Sequence, residues 1–158
     1  MRPSDSRISA TALLLSRGVR CVVLHPDDED GETLTNHLRR MGFKVQAFWP
    51  IPEQFPADTD LIFYALQSDN PEPDVSWLDH NKHALIAVIA YENPTFIDQA
   101  LNMGAGSTIT TPIRASGLLS AMVFALHHAQ QQRQMSDRIE RLEKKVLGIR
   151  QVSEAKAI

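Results

Sequence analysis

Apolar residues recur along the first two-thirds of the chain in short unbroken runs, each followed by turn residues or by a stretch with helical spacing. Val19-Arg20-Cys21-Val22-Val23-Leu24 is the first run and predicts a buried strand. Residues 31–41 place Leu34, Leu38 and Met41 on one face and predict a helix stopped by Gly42. Residues 43–49 predict a second strand, closed by the Pro50-Ile51-Pro52 turn. The wholly apolar runs 61–66 and 84–90 predict a third and a fourth. Between them the proline-rich loop 69–74 leads to a short helical segment around Trp77-Leu78. Residues 95–103 read as a helix ended by Gly104, and 107–110 as a fifth strand. Ahead of all these, residues 7–16 have the spacing of a short helix.

Continuous apolar strands separated by helices require a parallel sheet covered on both faces. Five such units predict an α/β, flavodoxin-like sheet of order 2-1-3-4-5. The pattern then changes. After Thr111-Pro112 no proline occurs, and the only glycines are Gly117 and Gly148. A seven-residue frame puts Met135, Ile139, Leu142, Val146 and Ile149 on one seam, with His128 and Gln132 weakening it further upstream. A continuous helix of roughly 44 residues would reach about 66 Å at 1.5 Å per residue. It needs a partner, most simply its own copy in a parallel coiled coil. Arg138 and Glu143 would then face each other favourably, and Lys145 and Arg150 unfavourably, so the apolar seam sets the register. The expected organisation is an N-terminal arm or helix over 1–17, a core over 18–113, and a last helix running into a coiled coil over 114–151.

With 43% apolar and 22% charged residues, 158 residues suffice for one core plus an appendage. No apolar run is long enough to span a bilayer, and Thr11-Ala12-Leu13-Leu14-Leu15 is too short and badly flanked for a signal peptide, so a cytoplasmic protein is expected. The single cysteine, Cys21, fits a reducing compartment. Charge is unevenly spread: residues 1–112 carry eight Lys and Arg against fifteen Asp and Glu, whereas 113–158 carry eight against four. The acidic part has no attraction for nucleic acid, and the interleaved charges of the basic helix read as a solvated coiled-coil face.

These landmarks resemble a response-regulator receiver domain over about residues 19–126: Arg39-Arg40-Met41-Gly42-Phe43 closing the first long helix, Asp60-Leu61-Ile62 opening the third strand, Ala90-Tyr91 ending the fourth, and Thr111-Pro112. Receivers phosphorylate an aspartate ending the third strand, using two acids after the first strand to hold Mg²⁺, a hydroxyl after the fourth and a lysine before the proline. Transfer to a carboxylate requires a divalent ion to neutralise the phosphoryl oxygens and a fixed cation to hold the product. In this chain the acidic pair falls on His25 and Pro26, the acceptor on Ala65, the hydroxyl on Ala90 and the lysine on Thr111. The resemblance therefore implies a receiver scaffold switched by contact. A phosphorylation-dependent receiver is the alternative.

The stretch Phe48-Trp49-Pro50-Ile51-Pro52-Glu53-Gln54-Phe55, with Asp60-Leu61-Ile62-Phe63 and Tyr91-Glu92-Asn93-Pro94, is similar to the pseudo-receiver half of the AmiR family of antitermination regulators. In that family a receiver without phosphorylation chemistry precedes a coiled coil and a small RNA-binding ANTAR module. Residues 152–158 resemble the start of such a module, with Val152, Ala155 and Lys156 at its opening. The resemblance implies a homodimer that acts on a nascent mRNA leader, held by a small-ligand-binding sensor protein. Trp49, Pro50 and Phe55 are its expected contact surface; no cofactor and no metal are expected.

A second motif argues for a different class. His25-Pro26-Asp27-Asp28-Glu29 after a strand resembles the metal-binding segment of LmbE-like zinc deacetylases, where a metal-bound water and a carboxylate would hydrolyse an amide. That family also needs a glycine-rich run and a distant third ligand. Here Asp30-Gly31-Glu32-Thr33 follows, and His80, His83, His127 and His128 are poorly placed for a strand-end ligand. The acidic turn is better explained as a charge cluster at a helix N-terminus, and the protein is expected not to be an enzyme. Trp49 and Trp77 read as core or lid aromatics, and His127-His128 as tolerated helix polarity.

Overall fold

A computed structural model describes residues 9–15, 18–69, 73–80 and 82–156, with side chains as far as Arg150. Among the described residues nine elements follow one another: α1 (Ala10–Leu15), β1 (Arg20–Leu24), α2 (Glu29–Arg40), β2 (Lys44–Phe48), β3 (Leu61–Ala65), β4 (Ala84–Ile89), α3 (Pro94–Asn102), β5 (Ser107–Thr110) and α4 (Leu118–Lys156). All strand pairs are parallel, in the order β2-β1-β3-β4-β5. The expected sheet is therefore present. β3 and β4 are buried at every position, as the centre of a two-sided sheet demands, whereas the edge strand β2 is mostly exposed.

The two faces are covered differently. Alternate residues Cys21, Val23, Leu61, Phe63, Ala65, Ile86 and Val88 face a layer made by α1, α2 and the start of α4. Their neighbours Val22, Leu24, Ile62, Tyr64, Leu85 and Ile89 face α3 and two loops, with Ile51 and Phe55 from one and Val75, Trp77 and Leu78 from the other. The helical segment expected around Trp77-Leu78 is a turn. The Asp74 carboxylate accepts from the Ser76 N–H at 2.9 Å, the Trp77 Nε1–H donates to the Asp74 carbonyl at 2.8 Å, and the Leu78 N–H donates to Val75 at 2.9 Å. An aspartate bonding the backbone two residues on offers the chain a turn in place of a helix. That bond also holds the Asp74 carboxyl below its usual range.

Helix ends follow local chemistry. Asp28 caps α2, its carboxylate accepting from the Gly31 N–H at 2.9 Å, so the helix starts two residues earlier than its apolar spacing indicates. Glu29, Asp30 and Glu32 fill its first turn, where the helix dipole favours negative charge. Asn93 caps α3 in the same way through the Phe96 N–H at 3.0 Å. Gly117, at φ +86°, holds α4 back to Leu118; a side chain there would be strained.

α4 has 39 residues, about 58 Å at 1.5 Å each. Leu118, Ala121, Met122, Ala125, Leu126 and Ala129 are buried against the sheet and α1. Beyond Arg133 every described side chain of the helix is exposed. Cys21 is core, as expected: burial, and then the nearby Asp60 carboxylate, push its thiol up to about 12. Among the described residues no helix is long and apolar enough to cross a membrane.

Candidate functional site

Parallel strands deliver the loops that follow them to one rim of the sheet, and the rim of this sheet is where the sequence places its altered chemistry. His25 and Pro26 follow β1, Ala65 ends β3, Ala90 follows β4 and Thr111 follows β5. All five line one cavity of about 200 Å³. Asp28, Asp30, Gln67, Ser68, Tyr91 and Phe96 also line it, with Leu66 and Val88. Of these, Gln67, Ser68 and Phe96 were not singled out by the sequence. Gln67-Ser68, the first polar pair after the apolar third strand, was the available signal.

Several wall groups are held by local bonds. His25 Nδ1 stands 3.0 Å from the Pro26 carbonyl oxygen and 3.3 Å from the Asp28 carboxylate, and its side chain is nearly buried. The same Asp28 oxygen accepts from Gly31, so this carboxylate is engaged as a cap. A Cβ on Gly31 would come within 2.8 Å of the Pro26 carbonyl and 2.9 Å of His25 Nδ1; only glycine lets the turn close this tightly. The Thr111 hydroxyl donates to the Ala90 carbonyl at 3.2 Å, tying the loops after β4 and β5 together. The end of β3 offers the cavity a methyl group. Among the described residues, no three His, Cys, Asp or Glu side chains converge as a metal cage would require.

The three residues expected to form a partner surface are not brought together. Trp49 is 42% exposed and Pro50 is also exposed. Phe55 instead turns inward, 5.5 Å from the Trp77 ring and 5.9 Å, edge-on, from His83. Trp77 also meets Tyr64 at 5.5 Å, so it serves as core lid while Trp49 does not. Beside Trp49 a groove of about 400 Å³ runs between α2 and the end of β2, lined by Glu32, Asn36, Arg39 and Phe48.

Along α4, Met135, Ile139, Leu142, Val146 and Ile149 are 56, 50, 56, 50 and 63% exposed on the stretch that leaves the domain. Leu147 adds a sixth apolar side chain. Val152, Ala155 and Lys156 continue the helix backbone, and their side chains, like residues 157–158, lie outside the described residues.

A five-stranded parallel sheet in this order, with its altered rim at the strand ends, defines a response-regulator receiver fold. A response regulator from Thermotoga maritima shares it at a TM-score of 0.54 and 19% identity, covering 68% of this chain and 97% of that one. A response regulator from Burkholderia pseudomallei bearing a phosphorylated aspartic acid matches at 0.51 and 16%, covering 77% and 74%. Within this fold class the chain belongs to the AmiR family: the model for the AmiR N-terminal domain matches residues 19–126. The aliphatic amidase regulator of Pseudomonas aeruginosa is 27% identical over 155 residues, 96% of this chain and 79% of that protein. The family is regulatory, and the resemblance read from Trp49-Pro50 and Tyr91-Glu92-Asn93-Pro94 is upheld over the whole receiver.

Proposed function

We propose that this regulator is a cytoplasmic antitermination factor whose receiver is switched by a protein partner and not by phosphate. The observation that carries this reading is Ala65 at the end of β3, within a cavity where one wall carboxylate, Asp28, already caps α2. Alanine has no group to accept a phosphoryl, and Thr111 supplies a hydroxyl where a fixed cation would hold the product. The test is incubation with a small phosphoryl donor and Mg²⁺ followed by mass spectrometry. The protein stays unmodified; an acyl phosphate on Asp27, Asp28 or Asp30 sinks the proposal.

Output runs through α4. The seam Met135, Ile139, Leu142, Val146 and Ile149 pairs two copies in parallel, and RNA contacts belong to the module opening at Val152, Ala155 and Lys156. RNA recognition of this kind targets single-stranded loops, so a paired protein suits paired stem-loops in a nascent leader. Control comes from a small-ligand-binding sensor that grips the receiver until inducer loosens it. Its contact is the rim around Trp49 and Pro50, with the adjoining groove on α2. In a pull-down with the sensor, Trp49→Ala loses capture. Unchanged capture places the contact elsewhere.

A further inference from the structure

The receiver body sorts its charges along the strand direction. Asp27, Asp28, Glu29, Asp30 and Glu92 stand at the rim where strands end. Every Lys and Arg among the described residues of 1–112, namely Arg20, Arg39, Arg40, Lys44 and Lys82, stands at the other end, where strands begin. Arg20 and Lys44 open β1 and β2 as direct neighbours in the sheet, and Arg39 and Arg40 close α2 just before β2 starts. An acidic composition thus conceals a basic underside. Gly106, immediately ahead of β5, lies against Ala125 and His128, so α4 leaves the body through that underside.

These cations are largely free. Of the acids at this end, Asp79 engages Lys82 at 4.0 Å, and Asp60 is buried and accepts from the Arg20 N–H at 2.9 Å, leaving Asp58 exposed. Among the described residues Arg39, Arg40 and Lys44 make no ion pair, and all three are exposed.

The rod continues the pattern. Its charges alternate along the sequence, but at about 100° per residue Arg138, Arg141 and Lys145 fall within about 60° of one another, in an exposed row about 10 Å long. Asp137, Glu140 and Glu143 turn the other way, and Glu140 engages Lys144 at 3.5 Å. The row points about 160° from the stripe that packs on the sheet and about 90° from the apolar seam, so pairing through the seam leaves it open. Arg40 also points away from the sheet, about 170° from the buried Gly31, Leu34, Thr35 and Leu38. α2 and α4 cover the same sheet face, and α1 in that layer carries no charge. The row begins about 14 Å beyond Ala129, the last buried residue of α4.

Free cations turned to one side of a body and of its rod complement a chain of phosphates, which binds through charge and fixes position without reading sequence. We infer that Arg39, Arg40 and Lys44 on the body and Arg138, Arg141 and Lys145 on the rod form one RNA-backbone surface, so that the receiver itself holds the phosphates of the leader. The repulsion of nucleic acid expected from the acidic composition then belongs to the rim.

The surface rests on the reading of the chain as an RNA regulator, and the experiment separates the two. Fluorescence anisotropy of the full chain with a fluorescein-labelled single-stranded RNA is followed across a salt series. The double variants Arg39→Gln with Arg40→Gln, and Arg141→Gln with Lys145→Gln, each weaken binding. Each lowers the slope of log affinity against log salt by about 1.4, at about 0.7 per phosphate contact. Lys144→Gln with Arg150→Gln removes the same charge away from the row and keeps the wild-type slope. A thiouridine-substituted probe cross-links to the peptide spanning 39–44. No binding by wild type overturns the surface, as does a wild-type slope in the Arg39 and Arg40 variant with cross-links confined to residues beyond 150. An equal loss in the Lys144 and Arg150 variant overturns it as an effect of bulk charge. Loss of sensor capture by the Arg39 and Arg40 variant, with RNA binding unchanged, overturns it by giving the patch to a protein. Binding that Lys156→Gln leaves unchanged overturns instead the output segment's part in RNA contact, and the surface stands.

Discussion

Gly31 shows how much the rim depends on single atoms. With the Pro26 carbonyl 2.8 Å and His25 Nδ1 2.9 Å from where a Cβ would lie, Gly31→Ala forces the turn after β1 open. Overpacking of this kind costs about 1–3 kcal/mol. Urea unfolding should show that loss as a lower midpoint with an unchanged slope. Asp28→Ala removes the cap on α2 and should cost about 1 kcal/mol, with Asp28→Asn largely restoring it. His83 gives the chain a pH response. Its ring is half-buried against Phe55, and burial lowers its pKa from 6.5, with Lys82 and Arg133 acting in the same direction and Asp79 and Asp60 opposing them. The unfolded chain binds the proton first as pH falls below 6.5, so His83's contribution to stability is complete above that value. It declines below it until the folded form is protonated too. Denaturation between about pH 7.5 and 5.5 should show a steeper fall for wild type than for His83→Phe.

The elements separate what the sequence could reveal from what it could not. The five strands were legible because buried parallel strands are unbroken apolar runs, and Ser107-Thr108-Ile109-Thr110 was bounded correctly by its β-branched residues. The start of α2 was misjudged because Asp28 and the acidic turn belong to the helix through backbone bonds, not through apolar spacing. The turn at Trp77 and the inward course of Phe55 were hidden for a related reason. Both depend on loops folding back over a sheet face where, among the described residues, no helix follows β2 or β3, and periodicity does not report loops. The five altered rim positions were legible because strand ends can be counted from Gly42 and Pro112. Their companions Gln67, Ser68 and Phe96 needed the fold. Trp77→Ala tests this at element scale. Removing a ring that meets both Phe55 and Tyr64 should cost about 3 kcal/mol or more, visible as a lowered melting temperature, whereas the same change at the exposed Trp49 should cost little.

At the scale of the molecule, an acidic body and a basic helix are parts of one object because α4 belongs to both. Its buried stripe ends at Ala129, and its apolar exposed stripe runs from Met135 without a proline to interrupt it. On the proposed reading, a partner that grips the rim acts on the same rod that leads to the output segment. Gln131→Pro, at about 3 kcal/mol for a helix interior, should sever that connection at the exit point. Sensor capture by the body should survive in a pull-down, and helix-dependent dimerisation should weaken in sedimentation.

Such a rod converts angle into distance. From Ala129 to Ile149 it extends about 30 Å, so tilting one receiver by about 10° against its copy carries the far end through about 5 Å. A spread of that size separates helices that pack with their axes about 8–10 Å apart. A receiver body carried on such a rod can therefore be governed by leverage, through the angle at which something holds it.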